Sequence, residues 1–169
     1  MNNTLYTIGH STHPIDTFVG LLQAHAIEAV ADVRSAPYSR YNPQYNRETL
    51  KASLKLNDIT YVYLGDELGA RRTEIECYRD GKVDFALVRK LPLFLAGIER
   101  LIQGLKKMRV AVMCAEKEPL NCHRTLLISS HLDDHGIEIQ HILADRSLLH
   151  HDEVKRIYEG ANPSDDLFA

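Results

Sequence analysis

Between Val110 and Leu127 the chain reads VAVMCAEKEPLNCHRTLL. Two thiols (Cys114, Cys122), an imidazole (His123), a guanidinium (Arg124) and two carboxylates (Glu116, Glu118) crowd this one stretch. A thiol with a lowered pKa is a nucleophile at neutral pH, and Cys114 is the candidate for that role. A free cysteine at a strand end is also a small apolar filler, so the residue type leaves both roles open. Cys122 follows Asn121, which reads as a helix cap. Unbonded N–H groups at a helix start favour a thiolate at Cys122, or a bound anion. Arg124 in the same turn suits a phosphate or carboxylate. Alternatively it pairs with Asp32 or Glu116 and braces the turn.

Spacing excludes two familiar uses of these residues. Leu120 stands where the tyrosine-phosphatase loop carries its arginine. Zinc ribbons and fingers use closely spaced Cys pairs, which are absent here. A metal held by Cys114, Cys122 and His123, with His10 or Asp32 as fourth ligand, is a further use of the same set. The divergence of adjacent side chains on a helix counts against it.

Other polar turns could share the site. His10 and Ser11 follow the first apolar run. Asp32 and Arg34 lie two residues apart and so on one side of an extended chain. Asp32 could act as a general base or hold ribose hydroxyls, or it forms an internal ion pair with Arg34. Ser39 and Arg40, with Tyr41, Gln44 and Tyr45, mix donors with flat rings, which suits an anionic or aromatic ligand. Arg71-Arg72, in the loop after the third strand, could clamp a phosphate, or it stands as a solvated charge pair. His131 and His135 have helical metal-pair spacing but no HExxH context.

The elements that must position these groups alternate. Strands are expected at 5–8, 29–33, 60–64, 109–113 and 137–142. Helices are expected at 14–26, 46–57, 92–105, 121–136 and 147–158, capped by Thr12, Asn46 and Asn121 at three starts and closed by Gly136 at the fourth. Segment 65–82 reads as loop, with Asp84 capping a short helix after it. The last strand reads as a sheet edge. This order predicts one three-layer α/β/α domain over residues 1–169, with about five mostly parallel strands flanked by helices. Residues 146–169 form a C-terminal helix and a loose tail. In a parallel sheet the turns after strands one, two and four share one edge, so distant residues meet in a composite pocket.

Composition narrows the function classes. The 169 residues carry 20 basic and 23 acidic side chains for a formal charge of −3, which disfavours wrapping a duplex. No apolar run approaches the roughly 20 residues of a membrane span. The opening MNNTLYTIGH lacks signal-peptide features. Three cysteines suggest free thiols in a reducing cytoplasm.

Four motifs in order, TIGHST, ADVRSAPYSR, YLGDELGARR and CAEKEPLNCHR, resemble the domain of unknown function 488 family from Leu5 to Ile142. Ala70 departs from a usual glycine and Tyr45 from a common phenylalanine. The resemblance implies a cytoplasmic bacterial or archaeal α/β protein and supplies no activity. It also implies that the motif residues His10, Ser11, Asp32, Arg34, Ser39, Arg40, Cys114, Glu116, Cys122, His123 and Arg124 are functional.

The expected function is an enzyme or ligand-binding protein for a small anionic or nucleotide-like substrate. Arg34, Arg40, Arg124 and the helix start at Cys122 would hold the anion, Asp32 or Glu116 would act as base, and Cys114 as nucleophile. The alternatives are a nucleic-acid-binding or modifying accessory, with tyrosines stacking on bases, and a thiol redox or metal-binding module. The sequence names no cofactor and no oligomeric state.

Overall fold

The computed structural model describes residues 3–161. A six-stranded sheet runs in the order β3-β2-β6-β1-β7-β8, formed by β1 (Thr4–Gly9), β2 (Ala29–Asp32), β3 (Thr60–Tyr63), β6 (Val110–Cys114), β7 (Glu138–Ile142) and β8 (Leu148–His150). The first five are parallel and β8 is antiparallel to β7. The fold is the expected α/β class, with one strand more in this sheet than the sequence suggests.

Period-two alternation sorts the side chains between two cores. On one face Leu5, Ala29, Ala31, Val110, Val112 and Ile139 pack with α5 (Pro92–Leu105) and the helix after β6. On the other Tyr6, Ile8, Val30, Ala111 and Met113 pack with α1 (Ile15–Ala24) and α2 (Arg47–Lys55). α1 buries Phe18, Val19, Leu21 and Leu22, the apolar positions its helical spacing puts on one side. α5 starts at Pro92, whose missing N–H costs nothing there. Gly97 in α5 lets α3 (Gly65–Leu68) approach, since a Cβ would lie 2.5 Å from Glu67 Cβ.

Several local expectations need correction. β7 is not an edge, because the chain turns at 143–147 and β8 adds to it. The stretch expected to be helical from Ser147 is therefore first a strand, and α7 (His151–Ala161) begins later. The free hydrogen-bonding edge of β7 outweighs the helical preference of the leucines. Segment 65–82 is not mostly loop: it holds α3, a short 3-10 turn at Ile75–Cys77, and the hairpin β4 (Tyr78–Arg79) with β5 (Lys82–Val83). Asp80 and Gly81 both take positive φ, as a tight two-residue hairpin turn requires. Thr12 caps nothing, and Pro14 is the residue before α1. Asn46 precedes α2, but its Oδ1 accepts from the Ser39 N–H rather than from its own helix. Asp84 does cap α4 (Phe85–Val88), accepting from Ala86 N. Asn121 is no cap: it adopts φ 59°. The helix after it opens with a π-helical stretch, Arg124–Ser129, running into α6 (Ser130–Asp133). Gly136, at φ 77°, follows its end. The tail beyond Ala161 lies outside the described residues.

β6 sits between β1 and β2. The helices following β1 and β2 pack on one face of the sheet, while the helix following β6 packs on the other. Chains leaving neighbouring strands to opposite sides open a crevice at their carboxyl ends. Cys114 is the last residue of β6, at that crevice.

Candidate active site

Two polar assemblies flank the carboxyl end of β6, one for each face. On the α1/α2 face Asp32 is fully buried. Arg34 grips it through two N–H groups, Nε to Oδ1 at 2.9 Å and Nη2 to Oδ2 at 2.7 Å. Tyr61 donates to Oδ2 at 2.7 Å. Arg34 Nη2 also donates to the Tyr45 carbonyl. His10 stacks on Tyr45, with ring centres 4.1 Å apart. Its Nδ1–H donates to the Ser11 carbonyl at 2.7 Å, which leaves Nε2 to accept from Arg34 Nη1 at 3.3 Å. Burial drops the His10 pKa to about 4, so this ring is neutral at pH 7. The Asp32–Arg34 ion pair is thus the internal brace that was one of its two sequence readings.

On the other face the cysteine loop closes over β1. Arg124 is fully buried. It donates from Nη1 to the Glu116 carbonyl at 2.6 Å and to Cys122 Sγ at 3.4 Å, from Nη2 to the Lys117 carbonyl at 3.3 Å, and from Nε to Thr7 Oγ1 at 3.3 Å. It therefore braces the turn, through backbone carbonyls and not through the carboxylates of Asp32 or Glu116. Behind it the Thr7 hydroxyl donates to His141 Nδ1 at 2.7 Å, and His141 Nε2–H to His151 Nδ1 at 3.1 Å. Burial holds both imidazoles neutral, His151 at about 4 and His141 well below its usual range.

Cys114, Cys122 and His123 converge between these assemblies, with their Sγ and ring nitrogen atoms all within 4.8 Å of one another. The divergence expected of adjacent Cys122 and His123 does not occur, because the helix is irregular where it opens. His123 Nε2–H donates to the Val33 carbonyl at 3.1 Å. Its Nδ1 consequently faces Cys114 Sγ, 3.6 Å away. The Cys114 thiol falls from its ordinary value of 9 to about 7. The first cause is the S–H of Cys122, which donates to it; Arg124 and the N–H groups of Ala115 and Glu116 add to this, and burial opposes. Cys122 is pushed up because it gives its proton to that bond and because it is buried. The lowered thiol is Cys114, the candidate nucleophile, and not Cys122 at the helix start. Replacing Cys122 with alanine is expected to move the pH midpoint of Cys114 alkylation upward from about 7, which a rate profile with iodoacetamide measures.

A pocket of about 390 Å³ opens over these sulfurs. Of the residues expected from sequence, Arg34, Cys114, Glu116, Cys122 and His123 line it. His10, Ser11, Asp32, Ser39, Arg40 and Arg124 do not. His10 and Ser11 instead continue the ladder to the Cys114 and Ala115 carbonyls through their backbone N–H groups. Ser39 Oγ accepts from the N–H groups of Tyr41 and Asn42. Exposed Arg40 lies 5.7 Å from the Tyr41 ring centre. Arg71, one of the pair that could clamp a phosphate, and Asn121, expected only as a cap, line the pocket as well. The Arg71 N–H is fixed by Ser35 Oγ at 3.0 Å, while its exposed guanidinium makes no hydrogen bond or ion pair among the described residues. The paired arginines of 71–72 were the available signal, and only the fold separates them. Arg72 is buried against Glu74 and the carbonyls of Asp66, Glu67 and Gly69.

The family model described as Domain of unknown function DUF488 matches residues 14–130. The chain belongs to that family. The matched span runs from before α1 into α6 and contains Asp32, Arg34, Arg71, Cys114, Cys122, His123 and Arg124. In this DUF488 chain the departing residue Ala70 lines the pocket beside Arg71, and the departing Tyr45 is the ring on which His10 stacks. No curated protein and no solved structure matches the chain. No helix among the described residues is long and apolar enough to cross a membrane.

Proposed function

We propose that the chain is an enzyme of thiol chemistry, in which Cys114 attacks an electrophilic centre of a small anionic substrate. One observation carries this reading. Arg124 is a fully buried guanidinium with no carboxylate within ion-pair distance among the described residues, and its neighbours are carbonyls, a hydroxyl and Cys122 Sγ. A buried charge without a counter-charge costs several kcal/mol. The group beside it able to become an anion is the Cys114–Cys122 pair. The donor order runs from Arg124 to Cys122 and from Cys122 to Cys114, which leaves the negative charge on Cys114 at the pocket.

The reaction follows from the neighbours. The Cys114 proton passes to His123 Nδ1, held in place through its Nε2–H on the Val33 carbonyl. The thiolate forms a bond to the electrophilic centre, and the departing group takes the proton back from His123. The base role expected of Asp32 or Glu116 falls to His123. Arg71 offers its free donors to the anionic part of the substrate, in the place expected for Arg34, Arg40 and Arg124. A reducing compartment such as the cytoplasm keeps the thiols free, as the structure has them.

Two alkylating reagents of opposite design test this. Iodoacetamide is expected to label Cys114 first, with half-maximal rate near pH 7. Below that pH the thiol is protonated and slow, and above it the thiolate dominates. Arg71→Ala is expected to slow the anionic iodoacetate about fivefold, the size of an exposed ion pair, while leaving neutral iodoacetamide unchanged. Cys114 labelling no faster than Cys77 would refute the nucleophile. So would stoichiometric zinc on Cys114, Cys122 and His123 in protein purified without chelator, since the three donors could then be ligands with the pocket as an open fourth position.

A further inference from the structure

Cys122 takes no covalent part in the step above, yet no other group is so placed. Its sulfur lies within 4.8 Å of the Cys114 sulfur. Any adduct formed on Cys114 therefore lies beside a second thiol. A second thiol adds nothing to the hydrolysis of an acyl or alkyl adduct, because attack by it would only move the group to another sulfur or fail. It completes the chemistry when the adduct is on sulfur at a higher oxidation level, because the product is then a disulfide.

We infer that Cys122 is the resolving thiol of a two-cysteine centre that reduces a small hydroperoxide. This rests on Cys114 being the nucleophile. The Cys114 thiolate attacks the terminal oxygen of ROOH; an S–O bond forms, the O–O bond breaks, and Cys114 becomes a sulfenic acid. The alkoxide RO⁻ leaves and takes the proton held on His123 Nδ1, giving ROH. Cys122 sulfur then attacks the sulfenic sulfur; the S–S bond forms and the S–O bond breaks. The hydroxide released takes the Cys122 proton and departs as water. Two thiols are oxidised by two electrons and the peroxide is reduced by two. An external dithiol returns the pair to its starting state.

The surroundings fit this sequence. Both sulfurs line the pocket, so an oxidant of small size reaches them. Sulfurs in a disulfide stand about 2 Å apart. Past Ala115, whose carbonyl accepts from the Ser11 N–H, the segment between the cysteines is made of bends and turns, and Asn121 turns it sharply at φ 59°. That segment can give where a strand or helix could not. Cys77 is buried, lies outside the pocket, and has its thiol pushed up by burial, so it serves as an internal control. Closing the disulfide also removes the anion beside Arg124, so the oxidised protein is expected to melt at a lower temperature than the reduced one.

The test uses the full chain, reduced and then exposed to one equivalent of hydrogen peroxide. Intact mass and peptide mapping are expected to show the loss of two hydrogens and a Cys114–Cys122 linkage, reversed by dithiothreitol. Cys122→Ser is expected to stop at one added oxygen on Cys114, trapped by dimedone, and Cys114→Ser to lose both products. Cys77→Ala is expected to behave as the unaltered chain. If Cys114 alkylates rapidly but peroxide yields no disulfide, the resolving role of Cys122 is wrong and the nucleophile stands. If Cys114 is slow towards iodoacetamide and peroxide alike while circular dichroism shows a folded protein, both readings fall.

Discussion

Arg124→Met is expected to cost about 3 kcal/mol of unfolding free energy and to raise the pH midpoint of Cys114 alkylation. The stability loss comes from the carbonyls of Glu116 and Lys117, which lose their donor together. Each buried acceptor left without a partner costs about 1–3 kcal/mol, with partial rescue by water at the exposed side. The thiol effect has a separate cause: Arg124 is among the groups that lower Cys114. Without the cation the protonated thiol is favoured, so the rate at pH 7 falls and the profile moves to higher pH. Arg124→Lys separates the two effects. A lysine keeps the charge but cannot serve Thr7, Cys122 and two carbonyls from one planar fork. It should restore part of the thiol reactivity and little of the stability. Urea unfolding and alkylation profiles on the three proteins measure this. A methionine variant with an unchanged midpoint would mean that Arg124 only braces the loop.

Gly9→Ala should be nearly as damaging, for a reason of space alone. A Cβ at Gly9 would sit 1.7 Å from the Glu116 carbonyl oxygen and 2.9 Å from that of Lys117. Both are backbone atoms, so no side-chain rotation relieves the clash. The loop must lift by roughly 1.5 Å to restore van der Waals contact. That movement pulls Glu116 from Arg124 and turns the N–H groups of Ala115 and Glu116 away from Cys114. A loss of about 2–4 kcal/mol is expected, with slow alkylation of Cys114 even where the protein remains folded. Gly20→Ala is the matched control. It lies inside α1 with nothing within 4 Å of its Cβ, and should stabilise by about 0.5–1 kcal/mol. Thermal melts of both variants, with alkylation at pH 7, decide between a packing requirement at Gly9 and a general intolerance of the strand.

Local rules reached far in this chain. Apolar alternation and helical spacing set β1, β2, β6, α1 and α5 and the α/β class, because burial on one or two faces leaves its period in the residues themselves. The Asp32–Arg34 pair was legible for the same reason: two residues apart on a strand end, the side chains cannot avoid one side of it. The hairpin at Asp80-Gly81 escaped these rules although its turn residues are specific, because flanking strands of two residues each leave no period to read.

What the sequence could not decide was set by strand order. The placement of β6 between β1 and β2 puts Thr7 against Arg124 across 117 residues, and Val33 against His123 across 90. Nothing periodic in the chain encodes that neighbourhood. Once made, it reassigns the arginines: Arg34 and Arg124 become internal braces, and Arg71 is left with its donors free at the pocket. It also brings the two thiols of the stretch from Val110 to Leu127 together. The helix start by itself favours charge on Cys122, but Cys122 lies between a buried guanidinium and a second sulfur, accepting from one and donating to the other. Residue types and spacing were enough to mark this stretch as one wall of the candidate site. Which sulfur carries the charge depends on the directions of hydrogen bonds, and those exist only once the sheet has brought its distant strands together.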